Sequence, residues 1–343
     1  MILDTAPGRG DSKTIWSGLA AGGRLFTTYS DGSGLGQFIM KGDHTLNEVG
    51  QGLGRAIAGI LPWQEAFLAC RNAVDPHTLF LSTGNPWDGD LSAELYEALL
   101  GSGTLMDYGP SLAGRRLVFC RAGAATAGRR QALKAFVNDG GALVMLLGAP
   151  AELLGEFGIA LEAEAATRGF VGEVTLSGQA PLPGVKGAFA STARTAPKPS
   201  GEGWAVPARY ADGDIPAILH KAEGKGQVWY LNFQYSYDST LDMKTEATSI
   251  NEDNEAIRAR MGDMLQQRYA PGGRIRREAE VFRRAIAAIA ERAGVPGAYQ
   301  TLDRDGSAIP YVETQLLETS DGSQKYLIAY ADYRLPQGAT NAA

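Results

Sequence analysis

Cysteine and histidine are scarce in this sequence. The 343 residues include only two cysteines, Cys70 and Cys120, and three histidines. Two cysteines cannot form a disulfide framework or, by themselves, a metal cluster. The histidines, His44, His77 and His220, lie far apart, so none of them forms the closely spaced pair that is typical of metal sites. We therefore expect no metal ion in this protein.

Long apolar runs and a net positive charge are missing as well. No run approaches the roughly 20 apolar residues that a membrane-spanning helix requires, and the first residues, MILDTAPGRGDSK, lack the apolar core of a signal peptide. The net charge is −6, which gives no electrostatic attraction to nucleic acid or to an anionic membrane. We expect no nucleic-acid partner and no membrane partner, and we predict a cytoplasmic location.

The sequence does contain a regular alternation of strands and helices. The predicted strands lie at 78–82, 104–108, 115–120 and 142–147, and the predicted helices lie at 91–103 and 127–141. This order and spacing are typical of an α/β protein with a flavodoxin-like parallel sheet and flanking helices.

After residue 150 the pattern changes to that of β-hairpins. Hairpin strands are predicted within 169–178 and 203–233, helices at 252–268 and 275–294, and a further strand meander at 298–335. The last segment contains too few strands for an independent β-domain. We therefore expect it to form only part of a small β-sandwich.

One glycine-rich loop resembles a cofactor motif at first sight. Residues 31–38, DGSGLGQF, contain the spacing G-x-G-x-G after a predicted strand. A dinucleotide site also requires a helix directly after this loop and an acidic residue about 20 positions further on. Because the sequence has neither feature, we expect no cofactor.

Cys120 is the first candidate nucleophile, because it ends the predicted strand at 115–120. A reactive thiolate needs a neighbouring base or a helix N-terminus. No histidine lies within forty residues of Cys120 in the sequence, and the next helix begins several residues later. We interpret Cys120 as a buried residue at the end of a strand.

Trp87, Asp88 and Asp90 form the second candidate site. They lie in the loop STGNPWDGD, directly after the first strand of the predicted sheet, where flavodoxin-like folds bind ligands. Two carboxylates are the chemical groups of a glycosidase, and the tryptophan would stack on a sugar. Helix capping and a solvated loop explain the same residues without any ligand, so both interpretations stay open.

A third candidate is the polar and aromatic stretch YLNFQYSYDS at the end of a strong strand. It includes Asn232, Gln234 and Tyr235. Such a rim would bind a sugar or would pack against another subunit, and tyrosine-rich rims are frequent in subunit interfaces. The interface is the interpretation that we favour.

Taken in order, these segments resemble a known family. The residues that carry the resemblance are Leu79–Ser82, Met106–Tyr108, Leu117–Phe119, Phe136–Leu143 and the stretch GKGQVWYLNF at 224–233. They are similar to the middle domain of β-galactosidases of glycoside hydrolase family 42. That domain has a class I glutamine-amidotransferase-like fold and is called the β-galactosidase trimerisation domain.

The resemblance also implies a division of the chain. Residues 1–70, which include IWSGLAAGGRLFTTY, would be the end of a (β/α)₈ barrel with a linker helix. Residues 71–250 would be the amidotransferase-like trimerisation domain. Residues 251–343 would be a helical linker and the start of the C-terminal β-domain.

The resemblance further implies that the chain has no catalytic residue. In this family the two catalytic carboxylates follow the fourth and seventh barrel strands, which this sequence lacks. In true amidotransferases the nucleophilic cysteine lies on the turn after the strand that corresponds to 142–147, where this sequence has Leu147, Gly148 and Ala149. The histidine that could serve as a base, His220, is followed by Lys221 rather than by the expected H-x-E pattern.

Three functions therefore compete. The leading hypothesis is a non-catalytic accessory and oligomerisation region of a β-galactosidase-like glycoside hydrolase in carbohydrate metabolism. Its partners would be further copies of itself, for example in a trimer, or a barrel-containing catalytic domain. The alternatives are a stand-alone carbohydrate-binding or sensing module that uses Trp87, and a minimal hydrolase that uses Cys120 or the pair Asp88 and Asp90.

The leading hypothesis makes one further prediction about the surface. Trp16, Leu19, Leu25 and Phe26 lie in the segment that resembles the last barrel helix and strand. Without the rest of the barrel these side chains would form an exposed apolar patch, which usually marks an interaction site. We therefore expect the chain to associate with itself or with a barrel-containing partner.

Overall fold

The computed structural model describes residues 2–5, 25–28, 45, 48–81, 103–121, 126–162, 172–191, 193, 196–211, 214–235, 274–300, 302, 304, 306 and 312–331. The predicted helix at 252–268 and all but the last residue of the predicted helix at 91–103 lie outside these ranges, as do Trp16 and Leu19. The chain divides into two compact units. The smaller unit comprises residues 1–73 and 311–343, and the larger unit comprises residues 74–310.

Sixteen strands and five α-helices lie within the described ranges. The strands are β1 (Ile2–Thr5), β2 (Leu25–Thr28), β3 (Cys70–Asn72), β4 (Thr78–Leu81), β5 (Asp107–Gly109), β6 (Leu117–Cys120), β7 (Ala142–Leu146), β8 (Ala160–Glu162), β9 (Glu173–Ser177), β10 (Lys186–Ala190), β11 (Lys198–Ser200), β12 (Ala205–Tyr210), β13 (Pro216–Glu223), β14 (Gly226–Leu231), β15 (Val312–Thr319) and β16 (Lys325–Ala331). The helices are α1 (Glu48–Ile60), α2 (Gln64–Ala69), α3 (Ala127–Asn138), α4 (Ala151–Glu156) and α5 (Arg274–Arg292), with a 3₁₀ turn at Leu61–Trp63 between α1 and α2.

The larger unit is built on one nine-stranded sheet in the order β10-β9-β12-β13-β14-β7-β6-β4-β5. The strands β14, β7, β6, β4 and β5 pair in parallel. The pairing of β4, β6 and β7 is the one predicted for the strands at 78–82, 115–120 and 142–147.

The sheet as a whole is mixed, and here the prediction of a parallel sheet needs correction. The strands β9, β10, β12 and β13 pair antiparallel with their neighbours and extend the same sheet. The physical reason is the short connection between β13 and β14, which consists of Gly224 and Lys225. A two-residue turn can join only antiparallel strands, because a parallel pair requires a long crossover. The flavodoxin-like assignment of the fold stays a prediction.

Helices cover both faces of this sheet. Successive residues of β7 point to opposite faces, as in any strand, and all five are buried. Val144 belongs to the core that contains Phe282 and Ile286 of α5. Leu143 belongs to the other core, which contains Leu133 of α3 and residues of α4. A strand buried on both sides needs a continuous apolar sequence, which explains the run ALVML.

Glycines allow a close contact at the amino end of the parallel strands. The backbone N–H of Gln227 donates to the carbonyl oxygen of Gly141 at 3.1 Å, and that of Lys225 donates to Asn138 at 3.1 Å. A Cβ atom at Gly226 would lie only 2.1 Å from the same Gly141 oxygen. The turn before β14 can therefore pack on the end of α3 only because position 226 has no side chain.

The smaller unit contains two small sheets. The strands β1 and β2 pair in parallel, and β16, β15 and β3 form a three-stranded antiparallel sheet. Phe67 of α2 packs with Cys70, Leu317 and Ile328 in a small core. The strand β2 lies where the sequence predicted the strand RLFTTYS, whereas β1 and β3 were not predicted. A second layer of the predicted partial β-sandwich stays a prediction.

In the described part of the chain, every helix is too short or too polar to cross a bilayer.

Candidate functional site

The carboxyl ends of four parallel strands meet at one edge of the nine-stranded sheet. Because β14, β7, β6 and β4 are neighbours that run in the same direction, the residues after them lie along this edge. They include Arg121 after β6, Gly148 after β7 and Asn232 after β14. Ligands of open α/β sheets bind at such an edge. We call it the carboxyl edge and regard it as the candidate site.

The turn from β7 to α4 is the position at which the family resemblance would place a nucleophile, and we call it the elbow. The backbone N–H of Ala149 donates to the carbonyl oxygen of Leu146 at 2.9 Å, and the turn brings the chain directly into α4. Gly148 has a φ of 91°, a conformation that only glycine adopts at little cost. The turn is therefore tight, and an exposed glycine lies in it.

Arg121 lies over this elbow. A Cβ atom at Gly148 would lie 2.9 Å from Nε of Arg121 and 3.3 Å from one of its terminal nitrogens. The guanidinium group thus occupies the space into which a side chain at position 148 would point. In the described part of the carboxyl edge, the charged group at the elbow is a cation and not a nucleophile.

Cys120 is fully buried at the end of β6, as our interpretation expects. Its Sγ lies 3.8 Å from the carbonyl oxygen of Arg121, to which it donates a weak hydrogen bond. A buried thiol with a local backbone partner is inert compared with an activated thiolate. Cys120 therefore contributes packing to the sheet core.

His220 lies on β13, within the antiparallel half of the sheet. Its Nε2 atom is 3.3 Å from Oε1 of Gln227, and its ring centroid is 4.2 Å from that of Trp229. Burial lowers the pKa of His220 below its ordinary value; the charge of Arg292 acts in the same direction, and the hydrogen bond to Gln227 opposes them. These contacts place His220 beside Trp229 rather than at the elbow.

The predicted sugar-binding residues Trp87, Asp88 and Asp90 lie outside the described residues. The described part of this segment ends at Leu81, the last residue of β4. Their proposed role in ligand binding stays a prediction.

Asn232 is buried at the end of β14, and its polar atoms are occupied within the chain. Its Nδ2 atom donates to the carbonyl oxygens of Pro197 at 2.8 Å and Pro216 at 3.0 Å. Its Oδ1 atom accepts from the hydroxyl of Tyr230 at 3.3 Å. Its backbone carbonyl accepts from the hydroxyl of Tyr210 at 2.7 Å. In this conformation the side chain holds three segments of the larger unit together, and a ligand would have to displace one of these partners.

Tyr235 and Gln234 complete the predicted rim. Tyr235 is buried and stacks on Phe282 of α5, with ring centroids 4.2 Å apart. Phe189 meets the Tyr235 ring edge-on at 5.2 Å. Gln234 is half-buried. The two aromatic contacts anchor α5 to the sheet, and the sugar-binding role of this rim stays a prediction.

Burial also affects the tyrosines around Asn232. It raises the pKa of Tyr210 to about 12, which the hydrogen bond with Ser191 partly opposes. It raises the pKa of Tyr230 as well, and the nearby Tyr210 adds to this increase. Both hydroxyls are therefore neutral hydrogen-bond donors at physiological pH.

Sequence reasoning missed two residues of the carboxyl edge. It noted Gly148 only as the absence of a cysteine, although a glycine between a buried strand and a helix is itself a signal for positive φ. Arg121 gave no signal, because its position over Gly148 depends on the pairing of β6 with β7. Among the residues that the structure describes, no group of three His, Cys, Asp or Glu side chains could hold a metal ion.

Comparison with solved structures shows which proteins share this fold. The chain is similar to a β-galactosidase from Bacillus circulans sp. alkalophilus, with a TM-score of 0.59 and 15% identity over 96% of this chain. It is similar to Gan42B, a GH42 β-galactosidase from G. stearothermophilus, with a TM-score of 0.52 and 13% identity over 92% of this chain. It is also similar to α-L-fucosidase isoenzyme 2 from Paenibacillus thiaminolyticus, with a TM-score of 0.52 and 13% identity over 96% of this chain.

The chain spans about half the length of these structures, since the shared region covers 49%, 46% and 47% of them. At these identities the likeness concerns the fold. No family model matches the sequence, and no curated protein matches it.

Proposed function

We propose that this chain is a non-catalytic accessory and oligomerisation region of a β-galactosidase-like glycoside hydrolase in carbohydrate metabolism. The observation that carries the proposal is the elbow after β7, where Gly148 lies under Arg121. A nucleophile at this position would need a side chain, and glycine has none. The family resemblance implies an amidotransferase-like scaffold, and the glycine at this turn supports a non-catalytic role for it.

The comparisons support an accessory role in a second way. The fold shared with more than nine-tenths of this chain occurs in proteins named as β-galactosidases and in one named as an α-L-fucosidase. These names refer to different sugars. A region common to all of them is better suited to assembly than to the choice of sugar or to bond cleavage.

The proposal includes self-association of the larger unit, with a trimer as the form that the family resemblance implies. Light scattering on the purified chain, coupled to size-exclusion chromatography, measures this directly. We expect a particle of several chains whose mass does not change over a tenfold dilution. A stable monomer would remove oligomerisation from the proposal.

Activity assays test the non-catalytic part. The purified chain should hydrolyse neither nitrophenyl β-galactoside nor nitrophenyl α-fucoside, and it should release no ammonia from glutamine. Turnover that disappears in Asp88→Asn or Asp90→Asn would make those carboxylates catalytic, and ammonia release that disappears in Cys120→Ala would make that thiol the nucleophile. Sugar binding without hydrolysis, lost in Trp87→Ala, would instead favour the stand-alone carbohydrate-binding module.

A further inference from the structure

The strand β10 ends the nine-stranded sheet on one side, and none of the described strands pairs with its outer edge. The N–H of Ser191 donates towards β9, to the carbonyl oxygen of Gly172 at 3.4 Å, so the N–H of the preceding Ala190 points to the outer edge. Alternate residues of an antiparallel strand direct their backbone groups the same way, and therefore Lys186 and Ala188 face outward as well. An edge of this kind is a ready site for pairing with another strand.

The helix α5 contacts both ends of this edge through charged side chains. At the end of β10, Oε2 of Glu278 accepts from the backbone N–H of Ala190 at 3.1 Å. At the other end, a terminal nitrogen of Arg284 donates to the carbonyl oxygen of Gly184 at 2.8 Å, two residues before β10 begins. The two contacts therefore bracket the strand.

An apolar contact lies between these two charged contacts. Val281 is midway between Glu278 and Arg284 in the sequence, and a Cβ atom at Gly187 would lie only 2.5 Å from its Cγ2 atom. Residues three positions apart share one face of a helix, so positions 278, 281 and 284 form a single stripe. This stripe meets positions 190, 187 and 184 in turn, and α5 therefore runs antiparallel along β10.

The Glu278 carboxylate occupies the position of a neighbouring strand. A strand added to β10 would lie about 4.8 Å away and would offer a carbonyl oxygen to the N–H of Ala190. The carboxylate already supplies an acceptor for this N–H. Lys186 is exposed on the same edge, and native proteins place charged side chains, lysine above all, on edge strands to prevent pairing.

We propose that α5 is a cover for this edge, and that Glu278 and Arg284 keep β10 from pairing with β10 of a second copy of the chain. A second copy is the matching occupant, because antiparallel pairing of β10 with itself, centred on Ala188, sets the outward groups of Lys186 opposite those of Ala190. The inference does not depend on the proposed function. It implies that any self-association of the chain uses a surface other than this edge.

Removal of both charged side chains tests the cover. In the full chain with Glu278→Ala and Arg284→Ala, the mean mass from light scattering should rise about twofold or more over a tenfold increase in concentration, because pairing then follows mass action. The wild-type mass should not change over the same range. The matched control, Glu291→Ala with Arg292→Ala, removes the same two kinds of side chain from exposed positions at the end of the same helix and should behave as the wild type.

Hydrogen exchange of the β10 amides separates strand pairing from local unfolding. Pairing should slow the exchange of Lys186 and Ala188 in the double variant as the concentration rises, whereas a loosened α5 alone would speed it. Equal masses for the double variant and the wild type, or association without slower exchange in β10, would overturn the proposal. If the double variant does not fold, Glu278→Ala is tested in the same way, with Glu278→Gln as its control because the amide oxygen can still accept from Ala190.

Discussion

Replacement of Gly226 by alanine tests the contact between the start of β14 and the turn that joins α3 to β7. A Cβ atom at this position would lie 2.1 Å from the carbonyl oxygen of Gly141, 2.4 Å from that of Val137 and 3.0 Å from the Gly141 nitrogen. All three are backbone atoms, so none of them can move away by a side-chain rotation. The strand β14 and the end of α3 would have to separate.

The size of the effect follows from the bonds at this contact. Separation breaks the hydrogen bonds from Gln227 to Gly141 and from Lys225 to Asn138, each of which is worth about 1 kcal/mol. Displacement of packed elements adds about 1–3 kcal/mol. We therefore expect the free energy of unfolding to fall by about 3–5 kcal/mol, which corresponds to a drop of about 10 °C in melting temperature for a unit of this size.

Circular dichroism during thermal unfolding measures the melting temperature, and hydrogen exchange in peptides covering β7 and β14 measures the local effect. The matched control is Gly128→Ala on the exposed side of α3, where an added Cβ atom would meet no atom within 4 Å. Alanine in a helix is more favourable than glycine by roughly 0.5–1 kcal/mol, so this variant should be slightly more stable. If Gly226→Ala does not fold, Gly141→Ala is the milder test, because the three atoms nearest to its Cβ atom belong to the side-chain ring of Phe136 and not to the backbone. Wild-type stability and exchange rates in Gly226→Ala would refute the reasoning.

Three further variants test other contacts. Asn232→Ala should lower the free energy of unfolding by about 2–4 kcal/mol, because the carbonyl groups of half-buried Pro197 and buried Pro216 lose their donor. Gln234→Ala should change it by less than about 0.5 kcal/mol. A loss of sugar affinity at unchanged stability in Asn232→Ala would instead support the ligand role of Asn232. Burial lowers the pKa of His220 below 6.5, so the folded state binds the proton less readily than the unfolded chain. The free energy of unfolding measured in urea should therefore have its full value above pH 6.5 and decrease as the pH falls below it. His220→Gln should weaken this pH dependence of the free energy of unfolding. An unaltered pH profile in this variant would show that His220 is not the group responsible. Gly187→Ala should be destabilising, because its Cβ atom would lie 2.5 Å from Cγ2 of Val281; Val281→Ala should recover part of the loss and not all of it, because the φ of 136° at Gly187 remains unfavourable for alanine.

The strands β4, β6 and β7 of the larger unit could be predicted from the sequence, because they are buried on both faces. The run ALVMLL at 142–147, which contains β7, needs no partner to be recognised as a strand, since six consecutive apolar residues bounded by glycines are a local signal. The helix α5 was predicted to within two residues at each end, because its apolar residues follow the helical spacing over nineteen residues. Local signals of this kind depend on neighbours within the same element.

Pairing between distant segments could not be predicted in the same way. The strand β3 has only three residues and pairs with β15, about 245 positions later in the chain. Nothing in the sequence CRN indicates this partner. The strand β1 has only four residues and pairs with β2, about 23 positions later in the chain. Short strands such as β1 and β3 are stabilised by pairing with another strand, so their own residues give little indication that a strand will form there.

For the candidate site, the sequence indicated the turn after β7 better than the contacts around it. The turn could be predicted from Gly148, because a glycine between a buried strand and a helix is a local signal for positive φ. The role of Asn232 could not be read, because a polar residue after a strand has the same sequence signal whether it faces a ligand or the interior. Its buried partners, the carbonyls of Pro197 and Pro216, come from segments that only the folded sheet brings together.

The two ends of the parallel strands therefore use glycine for different structural reasons. At the amino end, Gly141 and Gly226 permit backbone contacts that no side chain could replace. At the carboxyl end, a side chain at Gly148 would be strained at a φ of 91° and would also meet Arg121. An enzyme accepts such strain because the strained residue performs the reaction. In this chain glycine avoids that strain, and the guanidinium group of Arg121 lies beside it. The amino end thus excludes side chains through backbone contacts, whereas the carboxyl end disfavours one at position 148 through its backbone conformation.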